Sequence, residues 1–118
     1  MDERFVTIQE WALDFTTQDA EPCVCNDHDA DPMIHFRFLC PDIRFEWFVA
    51  GMRNLKGDVE FVGYTRGATN SYWAEFLLSD LLQIKGPHGL SVRVDRGFRA
   101  RRASCLGLRA GRMSKNRR

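Results

Sequence analysis

Met33-Ile34-His35-Phe36-Arg37-Phe38-Leu39-Cys40 alternates along its length, and a period of two residues is that of a β-strand. Ile34, Phe36, Phe38 and Cys40 are expected on one face, with His35, Arg37 and Leu39 on the other. Pro41-Asp42 supplies turn chemistry. Beyond it, Phe45, Trp47 and Val49 alternate with Glu46 and Phe48 in a second strand. The next turn spans Asn54 to Asp58 and contains Gly57. Val59, Phe61 and Gly63 then alternate with Glu60, Val62 and Tyr64, and Ser71 to Phe76 forms a fourth, aromatic run. Short strands joined by tight turns predict an antiparallel meander.

Outward from this block the period changes. Leu77, Leu78, Leu81, Leu82 and Ile84 surround Ser79 and Asp80, which predicts a helix of about two turns with its apolar side on the sheet. Lys85-Gly86-Pro87 ends it, and Leu90, Val92 and Val94 alternate with Ser91, Arg93 and Asp95 in a last strand. Near the start, Phe5, Ile8, Trp11, Ala12 and Phe15 recur at helical spacing, with a strand through Val6 and Ile8 as the alternative. The expected fold class is α+β: a small antiparallel β-sheet meander with one or two short helices packed on one face. A chain of 118 residues suits one domain. That domain is expected over residues 1–98, including an acidic N-terminal segment, with an Arg-rich tail over residues 99–118.

No stretch approaches the roughly 20 apolar residues of a membrane helix, so no membrane partner is expected. The start Met1-Asp2-Glu3-Arg4-Phe5 lacks a basic region leading into an apolar run. A cytoplasmic location with reduced cysteines is therefore the expectation. Formal net charge is +1, but residues 1–36 carry nine acids and one base, residues 37–95 seven of each, and residues 96–118 nine bases and no acid. Such segregation marks interaction surfaces.

Cys40-Pro41-Asp42 before Phe45-Glu46-Trp47-Phe48, then Phe61-Val62-Gly63-Tyr64, Leu78-Ser79-Asp80-Leu81, and above all Lys85-Gly86-Pro87-His88-Gly89-Leu90 with Val92-Arg93-Val94-Asp95 and Phe98 resemble the domain-of-unknown-function family 2958. The likeness runs from about Pro32 to Phe98. It implies a compact α+β domain encoded by a phage, plasmid or other mobile element, and it transfers no catalytic residue. The acidic segment Asp19 to Asp31 and the tail after Phe98 lie outside the likeness.

Asp27-x-Asp29-x-Asp31 resembles the opening of a calcium loop, but Pro32 replaces the required Gly and Phe38 the bidentate Glu. These carboxylates are instead expected to meet a protein partner by charge complementarity. Cys23, Cys25 and His28, with Cys40 or His35, are fragments of a zinc pattern; no metal site and no cofactor is assigned. No phosphate-binding glycine loop, nucleophile elbow or His-Glu-x-x-His is present, so an enzyme is not expected. His88 reads as a lone exposed histidine on a sharp Gly-Pro-His-Gly turn. Arg99, Arg101, Arg102, Arg109 and Arg112 are the candidate nucleic-acid contacts, since guanidinium groups bind phosphate in a salt-dependent way. Pairing of the basic tail with the chain's own acidic segment is the competing use of those charges.

Two functions follow. The first is a non-enzymatic interaction protein of a mobile element that modulates or inhibits a host nucleic-acid-handling or defence complex by protein–protein binding. The alternative is a small nucleic-acid-binding accessory protein acting through the Arg-rich tail, with help from any of Trp47, Tyr72 and Trp73 that is exposed.

Overall fold

The computed structural model describes residues 4–17 and 31–108. The elements are β1 (Phe5–Thr7), α1 (Ile8–Thr17), β2 (Met33–Ile34), β3 (Phe36–Cys40), β4 (Phe45–Leu55), β5 (Asp58–Arg66), β6 (Ser71–Leu77), α2 (Leu78–Gln83), β7 (Arg93–Asp95) and β8 (Arg101–Arg102), followed by a 3-10 helix over Ala103–Leu106. β3 to β6 form the expected antiparallel meander. The chain then crosses back through α2, and β7 inserts beside β3, giving a six-stranded sheet in the order β1-β7-β3-β4-β5-β6.

Both helices pack on one face, as their apolar spacing requires. Ile8 and Ala12 from α1 and Leu78 and Leu81 from α2 meet Phe38, Trp47, Val49, Phe61 and Val94 in the larger core. Trp11 adds edge-to-face contacts with Phe36 and Phe38 at centroid distances of 5.7 and 5.3 Å, a geometry that stabilises aromatic pairs beyond their buried area. The N-terminal segment matches neither alternative whole: Phe5–Thr7 is a strand, and the helix starts only at Ile8. Thr7 separates them, its Oγ1 accepting the Glu10 N–H at 3.2 Å and so capping the first turn.

The opposite face carries a second core of Ile34, Phe48, Ala50, Tyr64, Trp73, Ala103 and Leu108, with Phe98 and Leu106 packed against it. Two expectations change here. The run Met33–Cys40 is not one strand: Met33 and Ile34 pair with Arg102 and Arg101 in a separate two-stranded sheet, and Ile34 joins the second core rather than the face of Phe36, Phe38 and Cys40. His35 marks the crossing, its N–H bonded to the Val49 carbonyl at 2.8 Å.

The domain boundary also moves from Phe98. Residues 101–108 continue the fold, with Ala103 fully buried and Leu108 nearly so. Ala103 N–H donates to the Pro32 carbonyl at 2.9 Å, and Leu108 N–H to the Ala103 carbonyl at 3.1 Å. Gly107, at φ 75°, turns the chain so that Leu108 reaches the core. A few apolar residues suffice because Phe48, Tyr64 and Trp73 already present a large apolar surface on that face. Residues 109–118 lie outside the described residues.

Candidate functional site

The C-terminal segment covers only part of the second face. Beside it the sheet holds an open cleft of about 400 Å³, lined by Arg4, Arg37, Arg66, Arg99 and Arg101 with the carboxylates Glu46 and Asp95. Strand alternation aims these groups together. In β3 and β4 the apolar Phe38, Trp47 and Val49 point to the helices, so Arg37, Glu46 and Phe48 point the other way. Register then sets Glu46 opposite Arg66 and Arg37 opposite Phe48.

The charges form a continuous chain across the sheet. Asp95, its side chain fully buried, accepts Arg4 Nε at 2.6 Å and Arg4 Nη2 at 3.0 Å. It also accepts Arg37 Nη1 at 2.7 Å and the Gly97 N–H at 3.0 Å. Arg37 continues to Glu46 through Nε at 3.0 Å and Nη2 at 2.7 Å. Glu46 takes Arg66 Nε at 2.9 Å on its other oxygen, and the Arg66 guanidinium lies 4.9 Å from the centroid of the Phe48 ring. Two carboxylates against five arginines leave a positive excess of three. Arg99 and Arg101 are exposed at the rim and form no ion pair with a described residue. The inner arginines are thus held in place, while the outer two keep their charge available.

Burial acts to raise the pKa of both carboxyls. Hydrogen bonds and charge from Arg4 and Arg37 at Asp95, and from Arg37 and Arg66 at Glu46, outweigh it and hold both below the ordinary carboxylate range. Carboxyls depressed in the folded state contribute stability above their unfolded pKa, which is lost as pH falls through the folded value. Melting temperature is therefore expected to be level from neutral pH down to about 5, then to fall progressively below about pH 4. Thermal melts followed by circular dichroism check this; stability that rises towards pH 3 would contradict the network.

Of the residues singled out from sequence, Arg99 and Arg101 line the cleft. Arg102 turns away, Nη1 donating to the Asp31 carbonyl at 3.0 Å. The Asp31 carboxylate is engaged within the chain, accepting the Ser104 N–H at 2.8 Å and its hydroxyl at 2.7 Å. Those two bonds, with the Arg102 charge, hold its pKa low against a small opposing effect of burial. Acidic and basic ends therefore do meet, at this point. Asp27, Asp29, Arg109, Arg112, Cys23, Cys25 and His28 lie outside the described residues. Cys40 is a core residue, its thiol 3.7 Å from the Leu90 carbonyl. Trp47 and Trp73 are buried, and Tyr72 is 42% exposed.

His88 is not alone. Asp42 lies 2.9 Å from its Nδ1 and accepts the His88 N–H at 2.8 Å and the Leu90 N–H at 3.1 Å. Burial pushes the Asp42 pKa up, and these bonds, with the His88 charge, bring it below its ordinary value. The carboxylate braces the Gly86-Pro87-His88-Gly89 turn against the Pro41-Asp42 turn, a structural role that accounts for both.

No family model, curated protein or solved structure matches the chain. The site is read from its own chemistry. Sequence reasoning passed over Arg4, Arg37, Glu46, Arg66 and Asp95. The available signal was the alternation itself, which sets Arg37 and Glu46 on the strand face away from the aromatic core. No helix among the described residues is long and apolar enough to cross a membrane.

Proposed function

We propose that the protein is a non-enzymatic nucleic-acid-binding accessory protein that holds a stretch of sugar-phosphate backbone in the arginine cleft. The observation that carries this reading is the convergence of five arginines around two carboxylates, with Arg99 and Arg101 unpaired among the described residues. Guanidinium forks match phosphate oxygens, and Glu46 and Asp95 fix the inner forks before any ligand arrives, which lowers the entropy lost on binding. A cleft of about 400 Å³ is of small-ligand size and suits a few units of single strand rather than a whole duplex. Phosphate contacts orient without reading bases, so weak sequence preference goes with this chemistry. The acidic segment supports a protein partner less directly, because the Asp31 carboxylate is spent on Ser104.

Fluorescence anisotropy with a labelled single-stranded oligonucleotide tests the reading. Combined Arg99→Glu and Arg101→Glu is expected to weaken binding about 10- to 100-fold and to make the salt dependence shallower by roughly one to two contacts. Arg53→Gln, which alters a cation paired with Glu60 outside the cleft, is expected to bind like the parent. Removal of residues 109–118 separates the cleft from the remaining basic residues; cutting at Phe98 would instead strip Ala103 and Leu108 from the second core. Binding unchanged by the charge reversal, or no binding at low salt, would overturn the reading.

A further inference from the structure

β6 is the outermost strand of the sheet, and among the described residues no strand pairs with its outer edge. Its sequence, Ser71-Tyr72-Trp73-Ala74-Glu75-Phe76-Leu77, contains one charge and neither Pro nor Gly. Exposed edges are normally guarded by charge, Pro, a bulge or shortness. The opposite edge, β1, is short at three residues; β6 runs for seven, and of these guards it carries only the single charge of Glu75. Thr65 Oγ1 donates to the Tyr72 carbonyl at 3.0 Å, which turns that carbonyl inward to β5. Backbone groups of an antiparallel strand face alternate sides, so the N–H and C=O groups of Ser71, Trp73 and Glu75 point outward. Tyr72 is exposed, and Phe76, on the same side of the strand, is only partly buried against the helix-covered core.

We infer that this edge pairs with β6 of a second copy, antiparallel, about a two-fold axis through Ala74. In that register Ser71 faces Leu77, Tyr72 faces Phe76, Trp73 faces Glu75, and Ala74 faces its own copy. The outward groups of Trp73 and Glu75 then meet across the axis, while at the strand's end the Leu77 carbonyl opens α2. The Tyr72–Phe76 pair occurs twice, and cross-strand aromatic pairs stabilise a sheet junction. The alternatives of the same parity are worse. Centring on Glu75 sets two carboxylates directly opposite each other, and centring on Trp73 drops Phe76 and Leu77 from the ladder. A two-fold axis joining antiparallel strands in one sheet stands perpendicular to it, so both arginine clefts open on the same side. The two β4 strands are then five strand spacings apart, about 24 Å. One nucleic-acid strand would meet two clefts, a consequence that rests on the proposed function; the dimer does not.

Light scattering on the full chain, with nucleic acid absent from every arm, reads the assembly directly. The expected mass is twice the 13.7 kDa of one chain, halving in Glu75→Pro and in Tyr72→Lys while circular dichroism and melting stay near those of the parent. Glu75→Pro removes an outward N–H and leaves the β5–β6 ladder intact. In an antiparallel non-hydrogen-bonded pair the Cα atoms approach to about 4.5 Å, within disulfide range. Oxidised Ala74→Cys should therefore give a covalent dimer above the parent's background, and Tyr72→Cys should not. A mass of 13.7 kDa at all accessible concentrations would overturn the inference. So would a dimer that survives Tyr72→Lys and leaves Ala74→Cys uncross-linked, since contact would then lie elsewhere. Should Glu75→Pro fail to fold, Tyr72→Lys and the cross-link still decide. Failure here leaves the single-cleft reading of nucleic-acid binding untouched.

Discussion

Gly63→Ala is expected to lower the thermal midpoint by roughly 15 °C, the equivalent of about 3 kcal/mol for a domain of this size. Gly63 lies on β5 opposite Val49, where the pairing with β4 shifts register between Val49 and Gly51. The bulge presses the β4 backbone onto the glycine. A Cβ there would overlap the Phe48 carbonyl oxygen and come within 2.9 Å of the Phe48 carbonyl carbon and 3.0 Å of Val49 Cα. These are backbone atoms of a central strand, so no side-chain rotation relieves the clash. Moving β4 would disturb both cores at once, because Val49 belongs to the helix-covered core and Phe48 to the other. Gly57→Ala is the control: its φ of 77° disfavours a side chain, but nothing lies within 4 Å, so about 1 kcal/mol of backbone strain is expected. Melts of both variants test the distinction. A Gly63→Ala protein as stable as Gly57→Ala would mean that the bulge is not held against this glycine.

Asp95→Ala carries the second large effect. The carboxylate is fully buried and joins Arg4, Arg37 and the Gly97 N–H. Its loss leaves two like charges facing each other and a backbone donor without its partner. Breaking a buried ion pair commonly costs about 3–5 kcal/mol. Arg4 is half exposed, with a side-chain exposure of 53%, and regains water when released, which reduces the expected loss to about 2–3 kcal/mol. Asp95→Asn keeps the shape and loses the charge, so it should fall between parent and Ala and show a weaker decline in stability as pH drops below 4. At temperatures where it stays folded, its cleft is more positive, so oligonucleotide binding at low salt should be at least as tight as the parent's. Urea titration and anisotropy on the same samples separate the two effects. A loss below about 0.5 kcal/mol, the usual size for a surface change, would show that the arginines are positioned without Asp95.

The strands of the meander were legible because each has apolar residues every second position and a turn-forming residue between runs. The four runs and their order follow from that rule, but not their ends: β4 continues past the bulge at Val49/Gly51 to Leu55 and pairs Asn54 and Leu55 with Val59 and Asp58, where a turn over Asn54 to Asp58 was expected. The crossing at His35 was not legible, since alternation continues unbroken through Met33 to Cys40 and period alone does not tell which sheet a residue joins. Composition misjudged residues 101–108 for a related reason: an Arg-, Gly- and Ser-rich segment reads as solvated, yet Ala103, Leu106 and Leu108 need only cover an apolar face built by other strands.

What the amino-acid order determined by itself is local: which segments extend, which coil, and which side of each element is apolar, because those properties depend on neighbours within a few residues. The arginine cleft is a product of tertiary structure. Arg4 and Asp95 are 91 positions apart and Arg37 and Asp95 are 58 apart, and only the insertion of β7 between β1 and β3 brings them within hydrogen-bonding distance. Strand order is settled by how the whole set of apolar faces is buried at once, and the convergence of charge follows from that order.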